Sequence, residues 1–208
     1  MFDDVLRVFE TKDKYIEVQQ DDFFPDNPRG ECPITHLIFH TRRIELSDED
    51  YKDIDYDEFS SWAEVENWIY ENEDVAICWP VYMMDHTYYT LRARPFSGPF
   101  GRFDSGQVGF LWINKEELKE YFDNNTEEAK EAMSFELETL EAWMNGEIYI
   151  ITERSKKDPN DYESCGGFLG SWDLEEYIKT EWPEAKEIDV DDYKEKFEIE
   201  TIIKYREE

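Results

Sequence analysis

Residues Phe110–Thr152 read FLWINKEELKEYFDNNTEEAKEAMSFELETLEAWMNGEIYIIT. Phe110 to Ile113 is a short apolar run of the strand type. Asn114, with Glu117 three residues on, is an N-cap pattern that opens a short helix to about Phe122. Thr126 is the expected cap of the strongest helix in the chain. Ala129, Met133, Leu137, Leu140 and Met144 recur on one of its faces, and Gly146 sits where a C-terminal cap belongs. Ile148 to Thr152 then returns to strand character. Two helices in succession between strands break the regular βαβ alternation of a doubly wound fold and predict an α+β protein.

The flanks extend that pattern. Residues 4–9 and 14–20 predict two short strands around the turn Glu10–Asp13, and residues 34–46 a third. Ser61 with Glu64 forms a capping-box pattern before a helix over 62–71, where Trp62, Val65, Trp68 and Ile69 recur at helical spacing. Val75 to Trp79 is a buried-strand run, and Pro80 points to an edge or bulge. Residues 81–94 continue as strand or hairpin, and Pro95–Gly109 is a glycine-rich loop. Beyond the hairpin-like loop Ser155–Asn160 lies Glu163–Leu169. Ser171 then predicts a helix start, Trp182-Pro183 its end, and the alternation of Phe197 to Tyr205 a final strand. With no repeat and no long Gly/Ser or Pro-rich linker, the expectation is one α+β domain over 1–208, with a mostly antiparallel sheet and three to four helices.

Fifty-three acidic residues against 22 basic ones give a formal charge of −31. That is far beyond the magnitude of about 2–8 that suits a small soluble domain. An aromatic content of 16% sets the chain apart from acidic disordered sequences, which are poor in aromatics. Such acidity fits a generically acidic surface or one that imitates a polyanion and engages a basic partner. Direct nucleic-acid binding by the bulk surface is disfavoured, because phosphate contacts need Lys and Arg. Cys32, Cys78 and Cys165 are odd in number and widely spaced, the pattern of reduced thiols and not of a disulfide framework or a zinc site. Met1-Phe2-Asp3-Asp4 lacks a basic n-region, so no signal peptide is expected, and no stretch approaches the roughly 20 apolar residues of a membrane span.

Pro95-Phe96-Ser97-Gly98-Pro99, followed by Asp104-Ser105-Gly106-Gln107-Val108-Gly109-Phe110, resembles the signature of a family of acidic phage and mobile-element proteins without an assigned activity. The resemblance extends to Asn27-Pro28-Arg29, His40-Thr41-Arg42-Arg43, Pro80-Val81-Tyr82 with Asp85-His86, Gly146–Tyr149 and Ser164–Gly170, and so covers about residues 25–172. Phe100-Gly101-Arg102-Phe103, inserted before the motif, departs from the family pattern. The resemblance implies a phage context and not a reaction.

Asp85, His86, Asp104 and Ser105 are the candidates for chemistry. An Asp–His pair orients an imidazole, and a serine within reach of a base becomes a nucleophile. Against this, neighbouring strand residues point to opposite faces, and Asp104 and Ser105 suit a turn held by side-chain-to-backbone bonds. His36 and His40 on a strand would lie about 13 Å apart, too far to share a metal. The glycines of 98–109 lack the Gly-Lys-Ser/Thr that a phosphate-binding loop requires. Arg92, Arg94 and Arg102 either pair with internal carboxylates or take a small anion. Asp48–Glu58 lacks the central glycine of a calcium loop. No cofactor and no metal is expected.

The acidic clusters carry the functional expectation. One lies within 45–74, where Lys52 is the single cation, a second on the long helix, and a third runs from Asp173 to Glu200. The first reading is a phage-encoded, non-enzymatic DNA mimic that blocks a host restriction or CRISPR-type defence. It would act in the cytoplasm of the infected bacterium by occupying a basic nucleic-acid-binding protein. Its expected contacts are Glu49, Asp50, Asp53, Asp55, Asp57, Glu58, Glu127, Glu128, Glu131, Glu138 and Glu141. That reading depends on whether the clusters share a face. The alternative is a small-ligand protein or enzyme centred on Pro95–Gly109, with Asp85, His86 and Asp104 as its polar groups. A third class, an assembly protein, would expose Trp62, Trp143 or Trp172 as a patch. The oligomeric state is left open, a homodimer included.

Overall fold

The computed structural model describes residues 5–21, 28–29, 33–44, 46–98 and 104–197. In chain order the strands are β1 (Val5–Glu10), β2 (Lys14–Gln20), β3 (His36–Phe39), β4 (Val75–Asp85), β5 (Tyr89–Arg92), β6 (Ser105–Asn114), β7 (Ile148–Ser155), β8 (Tyr162–Leu169) and β9 (Lys186–Ile188). The helices are α1 (Trp62–Asn72), α2 (Lys115–Phe122), α3 (Thr126–Met144) and α4 (Gly170–Glu181), followed by α5 over 190–197. All pairings among the described residues are antiparallel, and the α+β class read from the sequence holds. The chain clusters into two compact units, Met1–Pro25 with Gly146–Glu208, and Asp26–Asn145. The second is inserted between β2 and β7, which are hydrogen-bonded neighbours in the first.

The first unit is a sheet in the order β8-β7-β2-β1-β9 with a helix on each face. Period-two alternation on β2 sends Ile16 and Val18 toward Leu174 and Ile178 of α4, together with Phe9, Ile151 and Phe168. Tyr15, with Val5 and Val8, meets Tyr193 and Phe197 of α5. Glu17 is fully buried on the α5 side. Its carboxylate accepts from Arg154 Nε at 2.5 Å and Nη2 at 3.1 Å, and from the Tyr193 hydroxyl. Arg154 Nη1 donates to Pro159 O at 2.8 Å, and the guanidinium lies over the Tyr162 and Phe197 rings. Burial, and then the bond to Glu17, raise the Tyr193 pKa, so its hydroxyl stays protonated and donating.

The second unit is a sheet in the order β3-β6-β4-β5. β6 is buried on both faces. Phe110 and Trp112 join Ile38, Tyr51 and the α1 residues Val65 and Ile69. Leu111 and Ile113 join Leu118 and Phe122 of α2 and Ala129, Met133, Leu137 and Leu140 of α3. A bulge between β4 and β6 leaves Val108 as the extra residue, because Val81 pairs with Gly109 and Tyr82 with Gln107. Pro80 lies where β4 has β6 as its one neighbour, since β5 begins pairing only at Tyr82.

Several expected boundaries move. The strand expected over 34–46 stops at Phe39. Thr41 N–H donates to Ile44 O at 2.9 Å, turning the chain so that residues 46–48 run back along β3, with Leu46 N–H on Phe39 O at 3.1 Å and Asp48 N–H on Leu37 O at 3.0 Å. Asn125, not Thr126, caps α3 by accepting from the Glu127 and Glu128 amides. Ser61 makes no side-chain cap bond; Glu64 instead accepts from Ser60 N–H at 2.7 Å. α4 begins at Gly170 after Leu169, before Ser171. Phe197 lies in α5 instead of opening a strand, and the rest of that expected strand lies outside the described residues.

Two substitutions test this packing. A β-carbon on Gly109 would sit 1.8 Å from Ile38 O and 2.8 Å from Ile38 C, both backbone. Gly109→Ala is therefore expected to lower stability by about 3 kcal/mol in denaturant unfolding, because β3 itself must give way. Arg154→Met leaves the Glu17 carboxylate buried without its cation, with the Tyr193 hydroxyl as its remaining donor, and is expected to cost about 3–5 kcal/mol, whereas Arg154→Met with Glu17→Leu recovers part of the loss.

Candidate functional site

Two 3-10 turns, Glu49–Tyr51 and Tyr56–Glu58, carry the first acidic cluster. Their apolar residues are anchors: Tyr51 is buried, and Ile54, Tyr56 and Phe59 pack on the same core as α1. Glu49, Asp50, Asp53, Asp55, Asp57 and Glu58 are all exposed. Asp55 accepts from Asp57 N–H at 3.0 Å, which fixes the second turn, and Lys52 pairs with Glu49. The exposed Glu64, Glu71 and Asp74 at α1 extend this surface, with Asp74 paired to Lys115. The Tyr51 hydroxyl donates to Glu73 Oε1 at 3.0 Å. Burial and that bond hold its pKa well above the ordinary phenol range.

α3 carries the second cluster. Glu127, Glu128, Glu131 and Glu138 are exposed. Glu141 is not a free carboxylate: its Oε2 accepts from Leu91 N–H at 2.6 Å, and Asn145 brackets Tyr89 with bonds of 2.8 and 2.9 Å to the backbone N–H and O. These side chains cover the outer edge of β5. Beside them run two adjoining hollows of about 490 and 330 Å³ that share Trp79, Ser134 and Glu138. Arg92 and Arg94 line the larger, and Lys130, Glu131 and Phe135 the smaller. The α3 surface is therefore mixed in charge. It also lies on the opposite face of the sheet from residues 49–58, since α3 packs with Leu111 and Ile113 and the turns pack with Phe110 and Trp112. The two sets of expected contacts do not form one face. The described part of the third cluster, 173–197, stands on the other unit.

Asp85, His86, Asp104 and Ser105 meet at one end of the β4–β6 ladder. Asp85 N–H donates to Asp104 O at 2.8 Å, and Met84 pairs with Ser105. Asp85 and His86 are exposed, Asp104 and Ser105 half-buried. What joins Asp85 to Asp104 is backbone, which suits the turn-forming role. Arg92 stacks on Phe96 at 4.6 Å, and Arg102 lies outside the described residues.

Two further polar clusters lie elsewhere. His36 Nε2 lies 2.6 Å from Glu117 Oε1, with its ring stacked on Trp112, and Asn114 Nδ2 donates to Glu73 Oε2 at 3.2 Å. Trp112 Nε1 and Asn114 Oδ1 are buried without a hydrogen-bond partner. Arg29, nearly buried, donates to Asp48 Oδ1 and Glu136 Oε2, each at 2.9 Å, and to Thr35 O at 2.5 Å. His40 stacks on Tyr56 at 4.2 Å, so His36 and His40 serve separate clusters. Only the capping role of Glu117 was readable from local spacing; its contact with His36 spans 81 positions. Among the described residues no group of three or more His, Cys, Asp or Glu is placed to hold a metal. Burial pushes the Cys78 thiol up to about 12. Trp62, Trp143 and Trp172 are each half-buried.

No family model, curated protein or solved structure matches the chain. Among the described residues no helix is long and apolar enough to cross a membrane.

The α3 assignments separate by stability. Glu141→Ala strands the Leu91 amide and is expected to cost about 1–3 kcal/mol in chemical denaturation. Glu138→Ala, on the exposed side of the same helix, should stay within about 0.5 kcal/mol of the parent.

Proposed function

We propose that this chain is a phage-encoded inhibitor of a host nucleic-acid-directed defence, of restriction or CRISPR type. It acts as a DNA mimic on a basic nucleic-acid-binding protein and not as an enzyme. The observation that carries the reading is the surface formed by Glu49–Glu58. Six exposed carboxylates stand on turns pinned by Tyr51, Ile54, Tyr56 and Phe59, with Lys52 the one cation among them. Duplex DNA presents one charge per about 1.7 Å of axis, and a basic groove built for it accepts a rigid carboxylate array. Complementary potentials speed such an encounter and make it salt-sensitive. The phage context rests on the Pro95–Phe110 motif. The mimic surface is drawn from the α1 side alone, because the α3 side is interleaved with Arg92, Arg94 and Lys130.

A second reading, a small-ligand protein or enzyme around Pro95–Gly109, is favoured by the one observation that Asp85 and Asp104 are neighbours.

The test is capture of host proteins on the purified chain at low salt, followed by elution with rising salt. One nucleic-acid-processing protein is expected to elute at moderate salt. Neutralising Glu49, Asp50, Asp53, Asp55, Asp57 and Glu58 to their amides should weaken its binding by at least about tenfold, roughly 1.4 kcal/mol. The same change at Glu127, Glu128, Glu131 and Glu138 should do far less. Undiminished binding after the first change overturns the reading and moves attention to Asp85, His86 and Asp104.

A further inference from the structure

Among the described residues four strands lie at sheet edges, and three of those edges are managed. Residues 46–48 cover β3, Glu141 and Asn145 cover β5, and β9 is only three residues long. β8 differs. Its ladder to β7 shows which backbone groups face out. Ser155 N–H donates to Asp161 O at 3.0 Å, so the hydrogen-bonded pairs fall at 155–161, 153–163 and 151–165. The N–H and C=O groups of Tyr162, Ser164 and Gly166 therefore point away from β7. Among the described residues no other segment hydrogen-bonds to them, although the Asp21 carboxylate lies over one face of Gly166, where a β-carbon would meet Oδ2 at 2.6 Å; residues 162–167 are exposed. The strand holds one charge, Glu163, and neither Lys nor Pro, the residues that commonly blunt an edge. Its bulge, at Gly167 with φ 86°, leaves the stretch up to Gly166 regular.

We propose that β8 pairs antiparallel with β8 of a second copy of this chain, joining two five-stranded sheets into one. The outward groups allow a two-fold axis at Glu163, Ser164 or Cys165. An axis at Glu163 sets two carboxylates face to face and is disfavoured. An axis at Cys165 pairs Ser164 with Gly166 on both sides and places Glu163 across from Gly167. The central Cys165 pair is then of the non-hydrogen-bonded kind, in which side chains come closest; the strand residues that meet there are small, and the Asp21 carboxylate over each Gly166 flanks the seam on the face away from Cys165. That self-match of small residues and an off-axis charge favours the chain's own copy over an unrelated strand. The contact is isologous and closes on itself, giving a dimer and not a fibre. Because each copy carries −31, salt strengthens this pairing by screening, the opposite of its effect on a basic partner.

The test is analytical ultracentrifugation of the full chain from low micromolar to several hundred micromolar, at low and moderate salt. A monomer–dimer equilibrium that tightens with salt is expected. Cys165→Lys sets two ammonium groups at the axis and should raise the dissociation constant at least about tenfold, with an unchanged circular dichroism spectrum. Ser164→Pro removes an outward N–H that the monomer does not use and should do the same. With Cys32→Ala and Cys78→Ala in place, mild oxidation should crosslink the dimer through Cys165, because a separation of roughly 4.5 Å between the paired Cα atoms lies within disulfide range. A chain that stays monomeric throughout, a dimer indifferent to both substitutions, or β8 taking up a strand of another protein while the chain alone stays monomeric overturns the proposal.

Discussion

Burial of β6 on both faces is the constraint on which the second unit depends. A strand flanked by β3 and β4 and covered above and below must be apolar along its whole central run, and Val108 to Ile113 are all buried. It must also let its neighbours come close, which is why a β-carbon at position 109 would strike the backbone of β3. Two consequences follow. The unit has a helical layer on each side, so its acidic helices and turns are divided between two surfaces. The sheet between them is a packed barrier, and a single basic groove meets one surface or the other.

The edges follow from the same arrangement. A short central sheet leaves backbone groups open at β3 and β5, and unpaired backbone in a half-buried setting costs free energy comparable to a lost hydrogen bond. Asp48 answers this at β3, where its carboxylate accepts from Leu37 N–H at 2.7 Å, and Glu141 answers it at β5. Both are acidic residues in acidic stretches, yet both are structural. In a chain with so many carboxylates, the useful distinction is between those that hold backbone or Arg29 and those that face water.

That distinction marks the limit of what the sequence allows to be read. The α3 face was legible because Ala129, Met133, Leu137 and Leu140 recur at helical spacing, and all four are buried. The cap at Asn114 was legible because Glu117 stands at the right distance, and its carboxylate accepts from Asn114 N–H at 2.8 Å. The reversal at Thr41–Ile44 was not, because Ile44 and Leu46 continue the apolar pattern of β3 while packing after a turn. Glu141 looked like Glu138 because both sit on one acidic helix, and only the position of β5 separates them. The insertion between β2 and β7 left no composition signal, since strands 128 or more positions apart in sequence pair by register and not by proximity. Asp85 and Asp104 did come together, but as the end of a ladder.

The acidic surface itself poses an energetic question, because like charges held together oppose folding. Two unit charges 4 Å apart in water repel by roughly 1 kcal/mol, and wider separations on an exposed turn cost less. Burying a large apolar side chain returns about 1.5–3 kcal/mol. Tyr51, together with the partly buried Ile54, Tyr56 and Phe59, thus outweighs the mutual repulsion of the carboxylates around it. The aromatic content of this chain and its charge are in that sense one feature: each turn that displays acids is held by a ring beneath it. Repulsion maintained in this way is relieved by any cation that approaches, whether salt or a basic protein surface. A rigid array gains more from a matching surface than a floppy one, because little ordering entropy remains to be lost on contact.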